Sequence, residues 1–329
     1  MTPTDAEIER LLERMVVCPV RSRDFDGVMK LYSELFKYQP RVTAIDMQRF
    51  ARVAKLYRLV GIFIPLLSLL RVDLETILVA RSGDRIIGEI HVVPHGKRVW
   101  SLDSSAVDAD FRRRGVYSKL LNESLRYISE RYGERVNTSL WTTNAAPLKM
   151  TRRLGFRIIE TQILLGREDG KLTPIVLDKD VAIRGVKSAD LEEIYRLCKA
   201  LSPMKTTAYR IGPQDFRASF LSRALGIVTW SRSKKWVLET DGKIMGYIHA
   251  VFNPTERTGR IESLLVRPSD RSSHLSSLLL SQVLRLLAEK SVRRLLMSIN
   301  EEWKETIETV QRFGFKPIAS VYEMTKKLK

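Results

Sequence analysis

The chain contains an internal repeat, and this repeat constrains its fold more than any other feature of the sequence. The segment Gly83-Asp84-Arg85-Ile86-Ile87-Gly88-Glu89-Ile90-His91 recurs, with one slip in the turn, as Gly242-Lys243-Ile244-Met245-Gly246-Tyr247-Ile248-His249. Gly88 and Gly246 lie 158 positions apart, and Val107 and Val266 lie 159 positions apart. Gly155-Phe156 and Gly314-Phe315 keep the second of these offsets. Nearly constant offsets indicate a duplication. We predict two domains, 1–170 and 171–329, with the boundary near Gly166 to Lys179.

The first copy alternates between helical and strand patterns. Helical spacing at Asp5–Met15 and Phe25–Phe36 precedes two alternating strands joined by Ser82-Gly83-Asp84, a turn typical of a hairpin. A third strand, a helix, a fourth strand, a helix ended by glycine and a fifth strand follow: Trp100–Val107, Val116–Arg131, Val136–Thr142, Ala146–Leu154 and Phe156–Leu165. This alternation predicts an α/β fold.

The stretch from Val107 to Leu121 has the strongest functional signal. A strand end leads into three arginines, Arg112 to Arg114, and then into Gly115 and an amphipathic helix. The first amides of a helix lack partners at the positive end of the helix dipole, and glycine lets the backbone approach an anion closely. Adjacent arginines suit more than one phosphate. The alternative interpretation is an ordinary solvated helix start.

Each half resembles the GNAT superfamily of N-acetyltransferases. The family signature Arg/Gln-x-x-Gly-x-Gly/Ala is similar to Arg112-Arg113-Arg114-Gly115-Val116-Tyr117, except that Tyr117 replaces the small last residue. The segment from Asn144 to Phe156 resembles the family's second cofactor motif. The resemblance implies, in each half, a mixed, mostly antiparallel central sheet flanked by helices. It also implies that the first half binds acetyl-CoA as co-substrate.

The resemblance assigns acetyl-CoA to three places in the first half. The end of the third strand would pair its backbone with the pantetheine arm through Ser105, Ala106 and Val107. The loop and helix start would hold the pyrophosphate through Arg112, Arg113, Arg114, Gly115, Val116, Tyr117 and Ser118. Asn144 would contact the pantetheine or a water beside it, with a plain helix N-cap as its alternative role.

Transfer of an acetyl group to an amine requires a proton acceptor and a donor to the developing oxyanion. Asp103 lies four residues before Val107, where family members often carry an acidic base. Glu89 and His91 on the neighbouring strand are the other candidates, and an arginine partner is the alternative role for Asp103. A backbone amide near Val107 suits the oxyanion.

Besides Tyr117, three positions depart from the family pattern, one in the first half and two in the second. Thr151 stands where the family's acidic tyrosine is usual, so Tyr117 becomes the candidate general acid, with helix packing as its alternative role. In the second half, His274 replaces the signature glycine of Arg271-Ser272-Ser273-His274, and Trp303 aligns with Asn144. A side chain at the glycine position obstructs the approach of phosphate. We therefore predict that the second half is a degenerate copy that does not bind CoA.

The amino-acid composition indicates which classes of partner and which cellular compartment to expect. The net charge of +18 favours anionic partners such as CoA, nucleic acid or an anionic membrane, although a charge-rich thermophile protein would also show it. Cys18 and Cys198 form no disulfide framework, and the histidines show no ligand spacing, so we expect no metal and a cytoplasmic location. The apolar run Leu59–Leu70 is too short to cross a bilayer.

The sequence thus predicts an acetyl-CoA-dependent N-acetyltransferase that modifies a primary amine of a small molecule or peptide. The apolar insertion from Gln39 to Leu70 occupies the place where family members build the acceptor site; a membrane-surface contact or an ordinary buried helix pair are its alternatives. Two other functions stay open: an aminoacyl-tRNA-dependent transferase, for which nucleic acid would be the partner, and a non-catalytic CoA-binding sensor or scaffold. The sequence identifies neither the acceptor nor the oligomeric state.

Overall fold

The computed structural model describes residues 4–36, 76–95, 98–168, 182–201, 232–253, 255, 257–267 and 273–328 of the chain. The predicted insertion from Gln39 to Leu70 lies outside the described residues. Backbone contacts divide the chain into two compact units. The first unit comprises Met1–Leu140, Asn144–Ile158 and Met324–Lys329, and the second comprises Trp141–Thr143 and Ile159–Glu323.

The first unit is built on a mixed sheet. Its elements are α1 (Asp5–Glu13), β1 (Val16–Pro19), α2 (Phe25–Phe36), β2 (Thr76–Ser82), β3 (Arg85–Pro94), β4 (Val99–Val107), α3 (Val116–Ser129), β5 (Arg135–Trp141) and α4 (Ala145–Arg153). The strands lie in the order β1-β2-β3-β4-β5. Every adjacent pair is antiparallel except β4 and β5, which are parallel. The predicted mixed, mostly antiparallel sheet is confirmed.

The second unit repeats this plan. Its elements are β6 (Arg157–Glu168), β7 (Ala182–Gly185), α5 (Leu191–Leu201), β8 (Arg232–Thr240), β9 (Lys243–Asn253), β10 (Thr258–Val266), α6 (Ser273–Glu289), β11 (Arg294–Asn300), α7 (Lys304–Arg312) and β12 (Lys316–Lys327). The first two residues of β6, and β12 from Met324 onward, belong to the first unit. From β7 to β11 the strand order is β7-β8-β9-β10-β11. The β10–β11 pair is parallel and the others are antiparallel, as in the first unit.

The two units are interleaved along the chain. Strand β6 follows the first copy of the repeat, yet from Gln162 to Glu168 it pairs with β11 inside the second unit. The last residues of the chain belong to the first unit, where the Thr325 hydroxyl donates to Asn137 Oδ1 at 2.7 Å. No single cut therefore separates the units, and the domain boundary at residues 170 and 171 stays a prediction.

Helix packing explains why glycine recurs on β3 and β9. A Cβ added at Gly88 would lie 3.0 Å from side-chain atoms of Leu120 and Val116 on α3. A Cβ added at Gly246 would lie 2.7 Å from Leu279 on α6. Both distances are shorter than nearly all real Cβ contacts, so each glycine lets a helix approach its sheet. The repeat detected in the sequence is thus a repeated packing contact.

Candidate active site

The loop before α3 forms an open array of backbone amides. Gly115, at the N-cap, has a φ of 83°, and Arg113 also has a left-handed φ of 61°. The Lys119 amide donates to Gly115 O at 3.0 Å, whereas the six amides from Arg113 to Ser118 make no hydrogen bond within the described part of the chain. A Cβ at Gly115 would meet no atom within 4 Å. Backbone amides without a hydrogen-bond partner at a helix start suit a bound anion.

The three arginines of this loop have different partners. Arg112 Nε donates to Val107 O at 3.2 Å and so ties the loop to the end of β4. Arg114 forms ion pairs with Asp5 and, at 2.9 Å, with Glu9 of α1. Arg113 is exposed. The Arg114 side chain is thus directed to the α1 carboxylates, and the pyrophosphate role of this loop stays a prediction.

The end of β4 has a free backbone edge. β4 and β5 pair only where Val99–Leu102 face Arg135–Thr138, and β4 then continues to Val107. Residues Ser105, Ala106 and Val107 pair with β3 on their other side. Within the described residues no strand covers the edge of β4 beyond Leu102. An open strand edge can pair with another extended chain, which fits the role predicted for these three residues.

A bulge interrupts β4 beside this edge. Ile90 pairs with Ser105 and Val92 with Leu102, so Asp103 and Ser104 together oppose one residue of β3. Asp103 is exposed and accepts a hydrogen bond from the Ser101 hydroxyl. Bulges commonly redirect side chains next to active sites. Among the residues that the structure describes, no arginine pairs with Asp103, and its role as base or as ion-pair partner stays a prediction.

Glu89 is the most unusual ionisable group of the first unit. It is fully buried, and neither carboxyl oxygen makes a hydrogen bond of normal length and angle. Burial raises the pKa of Glu89 to about 8, against smaller opposing effects of His91, the Tyr32 hydroxyl and the Ala106 amide. Such a pKa is typical of a carboxyl that exchanges protons near neutral pH.

Tyr32 and Ser104 were missed as site residues by the sequence prediction. The helical periodicity of α2 assigns Tyr32 to the apolar core, and only 3% of its surface is exposed. Its hydroxyl forms a short hydrogen bond with Ser104 Oγ and also interacts with Glu89. Burial, and then the Glu89 carboxyl, raise the pKa of Tyr32 well above its ordinary value. The structure thus places two hydroxyl groups between Glu89 and the β4 bulge.

Tyr117 and Thr151 lie together. The Tyr117 hydroxyl is 3.5 Å from Thr151 Oγ1, and Thr151 is completely buried. Burial raises the pKa of Tyr117, so its phenol stays protonated at neutral pH. The residue predicted as substitute acid therefore contacts Thr151, and its role as acid stays a prediction.

Asn144 and Trp303 occupy matching positions at helix starts. Asn144 is the N-cap of α4 with φ −91° and ψ 71°, and Trp303 is the N-cap of α7 with φ −88° and ψ 60°. The Asn144 side chain is exposed and makes no capping hydrogen bond, although the residue occupies the N-cap position. Trp303 instead lines a small pocket with Gln162, Glu262 and Asn300.

The signature loop of the second half is only partly described. Arg271 and Ser272 lie outside the described residues, and His274 is exposed in the first turn of α6. No group of three or more His, Cys, Asp or Glu side chains in the described ranges is arranged to hold a metal ion. None of the helices described is long and apolar enough to cross a membrane.

Models of known protein families match two regions of the chain. The model of the acetyltransferase (GNAT) domain matches residues 73–158, and that of the acetyltransferase (GNAT) family matches residues 194–315. Together the two matches cover more than half of the chain. The chain belongs to the GNAT acetyltransferase family. A comparison with curated proteins finds no match.

Several solved GNAT structures share the fold. A tandem GNAT protein from the clavulanic acid biosynthesis pathway has a TM-score of 0.66 at 15% identity, over 95% of this chain and 98% of that chain. A GCN5-related N-acetyltransferase from Sphaerobacter thermophilus has a TM-score of 0.67 at 14% identity, over 96% of each chain. A putative acetyltransferase from Pyrococcus horikoshii has a TM-score of 0.60 at 13% identity, over 96% of this chain and 90% of that chain. These identities show the fold alone.

Proposed function

We propose that this GNAT protein is an acetyl-CoA-dependent N-acetyltransferase and that its active site lies in the first unit. The observation that carries the proposal is the row of unpaired amides from Arg113 to Ser118 at the start of α3. Each amide can donate to a pyrophosphate oxygen, and the helix dipole favours the same charge. The open space in front of Gly115 leaves room for the phosphates to approach the backbone.

The remainder of the cofactor site is proposed along β4 and α4. The free edge at Ser105, Ala106 and Val107 would pair with the amide groups of the pantetheine arm. The exposed amide of Asn144 makes no capping bond, which supports a contact with the same arm. In the second half, His274 and Trp303 stand where Gly115 and Asn144 stand in the first, and we propose that this half does not bind CoA.

The catalytic roles are proposed from charge and exposure. Acetyl-CoA supplies the acyl group and a thiolate leaving group. The protonated phenol of Tyr117 would donate to the departing sulfur, and a backbone amide near Val107 would donate to the developing oxyanion. Asp103 and Glu89 both lie near the β4 bulge and are the candidates for receiving the amine proton.

The acceptor that we propose is a primary amine of a small molecule or peptide. The amide array favours CoA over aminoacyl-tRNA, which remains the alternative suggested by the net charge of +18. A sensor or scaffold that binds CoA without turnover is suggested by Thr151 at the usual acid position. A cytoplasmic location is also a proposal, and the free thiols of Cys18 and Cys198 are compatible with a reducing compartment.

The test is turnover of acetyl-CoA with a panel of primary amines: a peptide with a free N-terminus, lysine, spermidine and glucosamine. We expect release of the CoA thiol together with a mass increase of one acetyl group on at least one amine. Acetyl-CoA binding without release across the panel would favour the sensor. Salt-sensitive tRNA binding without acetyl-CoA binding would favour the tRNA-dependent transferase.

A further inference from the structure

We propose that Glu89 receives the proton of the acceptor amine and that the proton reaches Glu89 through the hydroxyl groups of Ser104 and Tyr32. The inference rests on the proposed function and deepens it. It chooses between the two candidate carboxylates and assigns two residues that the family signature loop and second cofactor motif do not contain.

The first step of the argument is the state of Glu89. A buried carboxyl that only fills space should be fully hydrogen-bonded, because an unsatisfied buried polar group costs about 1–3 kcal/mol. Glu89 lacks any well-formed hydrogen bond to either oxygen. A fold that keeps such a group beside the free edge of β4 keeps a carboxyl that is able to accept a proton.

The second step is the connection to the surface. Tyr32 and Glu89 lie close enough to act on each other: the Glu89 carboxyl raises the pKa of Tyr32, and the Tyr32 hydroxyl lowers that of Glu89. No hydrogen bond of normal length and angle joins them in this structure, and the relay requires Tyr32 to donate to the Glu89 carboxylate during transfer. Either hydroxyl can donate in the hydrogen bond between Tyr32 Oη and Ser104 Oγ, and the relay requires Ser104 to donate to Tyr32. Ser104 is half-buried in the bulge, next to the exposed carboxylate of Asp103. A path of two hydroxyl groups thus joins a half-exposed position to a fully buried carboxyl.

The third step is the transfer itself. An ammonium group at the bulge gives its proton to Ser104 Oγ, while Ser104 gives its own proton to Tyr32 Oη and Tyr32 gives its own to the Glu89 carboxylate. Each hydroxyl loses one proton and gains one, so the net change is one proton from nitrogen to Glu89. The freed nitrogen lone pair forms the C–N bond as the C–S bond breaks. The nitrogen then loses its second proton, and the departing thiolate gains one from the Tyr117 phenol, which the nitrogen proton replaces, so that the products are the amide and the CoA thiol.

Charges around the path agree with these roles. His91 on the same strand lowers the pKa of Glu89, as do the Tyr32 hydroxyl of α2 and the Ala106 amide of β4, and burial outweighs all three. The resulting pKa of about 8 suits a base that works from neutral to mildly alkaline pH. Asp103, exposed at the bulge, is then assigned to attracting the cationic amine rather than to removing its proton.

The experiment compares the full-length wild type with Glu89→Gln, Tyr32→Phe, Ser104→Ala and Ser104→Thr. Tyr132→Phe is the matched control, because Tyr132 is 86% exposed. Acetyl-CoA affinity is measured by titration calorimetry for each protein, and CoA release is measured from pH 6 to 10 with the amine that turns over fastest in the panel. The infrared band of protonated carboxyls is titrated in wild type, Tyr32→Phe and Glu89→Gln without any amine.

We expect unchanged acetyl-CoA affinity in every variant. Glu89→Gln should lower kcat by about 10²- to 10⁴-fold and remove the rise of rate with pH. Tyr32→Phe and Ser104→Ala should lower kcat at least tenfold, and Ser104→Thr, which keeps the hydroxyl, should lose less activity than Ser104→Ala. Tyr132→Phe should stay within about twofold of wild type. A carboxyl band that titrates near pH 8 should be absent from Glu89→Gln and shifted to higher pH in Tyr32→Phe.

Wild-type rates and pH profiles in Tyr32→Phe or Glu89→Gln would overturn the relay while leaving the proposed function intact. A wild type that binds no acetyl-CoA would contradict the proposed function instead. In that case the infrared titration decides the state of Glu89 by itself, and a carboxyl band with the same midpoint in wild type and Tyr32→Phe would overturn the coupling of the two residues.

Discussion

Glu89 shows how one buried group couples the site to the stability of the first unit. Its pKa is about 8 in the folded chain, well above the value of about 4.3 for an unfolded glutamate. Between these values the folded chain holds a proton that the unfolded chain releases. The folded state therefore loses stability as pH rises from about 4.5 to 8, by up to about 1.4 kcal/mol per pH unit.

Urea unfolding of wild type and Glu89→Gln at several pH values measures this effect. We expect the free energy of unfolding of wild type to fall relative to that of the variant between pH 5 and 8, and the difference to level off above pH 8. Glutamine has no charge to desolvate, so it provides the reference slope. Parallel curves for the two proteins would show that Glu89 titrates alike in both states.

The residues of the site differ in how far sequence could reveal them. Gly115, Asn144 and Tyr117 lie in contiguous motifs, so the sequence alone was enough to propose them as site residues. Tyr32 and Ser104 are 72 positions apart, and their contact depends on how α2 packs on β4. No local pattern distinguishes a core tyrosine from one whose hydroxyl has a buried partner, because both have the same periodicity.

At the scale of the elements, Gly88 of β3 and Gly246 of β9 have the same role, because each lets a helix pack closely on the sheet of its own unit. Gly88→Ala and Gly246→Ala should each lower the free energy of unfolding by about 1–3 kcal/mol, since the added methyl group overlaps buried helix side chains. Gly185→Ala is the control, because a Cβ there would meet no atom within 4 Å. Denaturant unfolding of the three variants and of wild type measures these changes in the free energy of unfolding.

Equal stability of Gly88→Ala and Gly185→Ala would mean that α3 moves freely away from its sheet. Such a result would also remove the packing explanation of the repeat, and an independent functional reason for the glycine would then be needed.

The order of elements was predictable, but the pairing of β6 was not. Alternating apolar residues identify Phe156–Leu165 as a strand, and the structure confirms a strand at Arg157–Glu168. Its partner β11 lies more than 120 residues further along the chain. Alternation shows which face of a strand is apolar, and it does not identify the neighbouring strand.

At the scale of the whole molecule, the first unit depends on the last residues of the chain. Met324 is completely buried, and the Leu328 amide donates to Glu134 O at 2.8 Å. Met324→Ala should lower the free energy of unfolding by about 2–5 kcal/mol, because it leaves a cavity in a packed interior. Denaturant unfolding measures this loss of free energy. The protease sensitivity of residues 1–158 shows whether the loss affects the first unit. A loss below about 0.5 kcal/mol would contradict a structural role for the chain end.

The central claim is that one working acetyl-CoA site exists per chain and that it lies at Gly115. Titration calorimetry of acetyl-CoA into wild type, Gly115→Glu and Gly83→Glu tests it most directly. Gly83 is the matched control, because it also has a left-handed φ, 59°, and open space around its Cβ position. Both substitutions therefore add the same charge and similar backbone strain. Only Gly115→Glu places that charge and strain in the amide array.

We predict one site per chain in wild type and in Gly83→Glu, and no detectable binding in Gly115→Glu. Two sites per chain, or binding that persists in Gly115→Glu, would contradict the assignment of acetyl-CoA to the first unit alone.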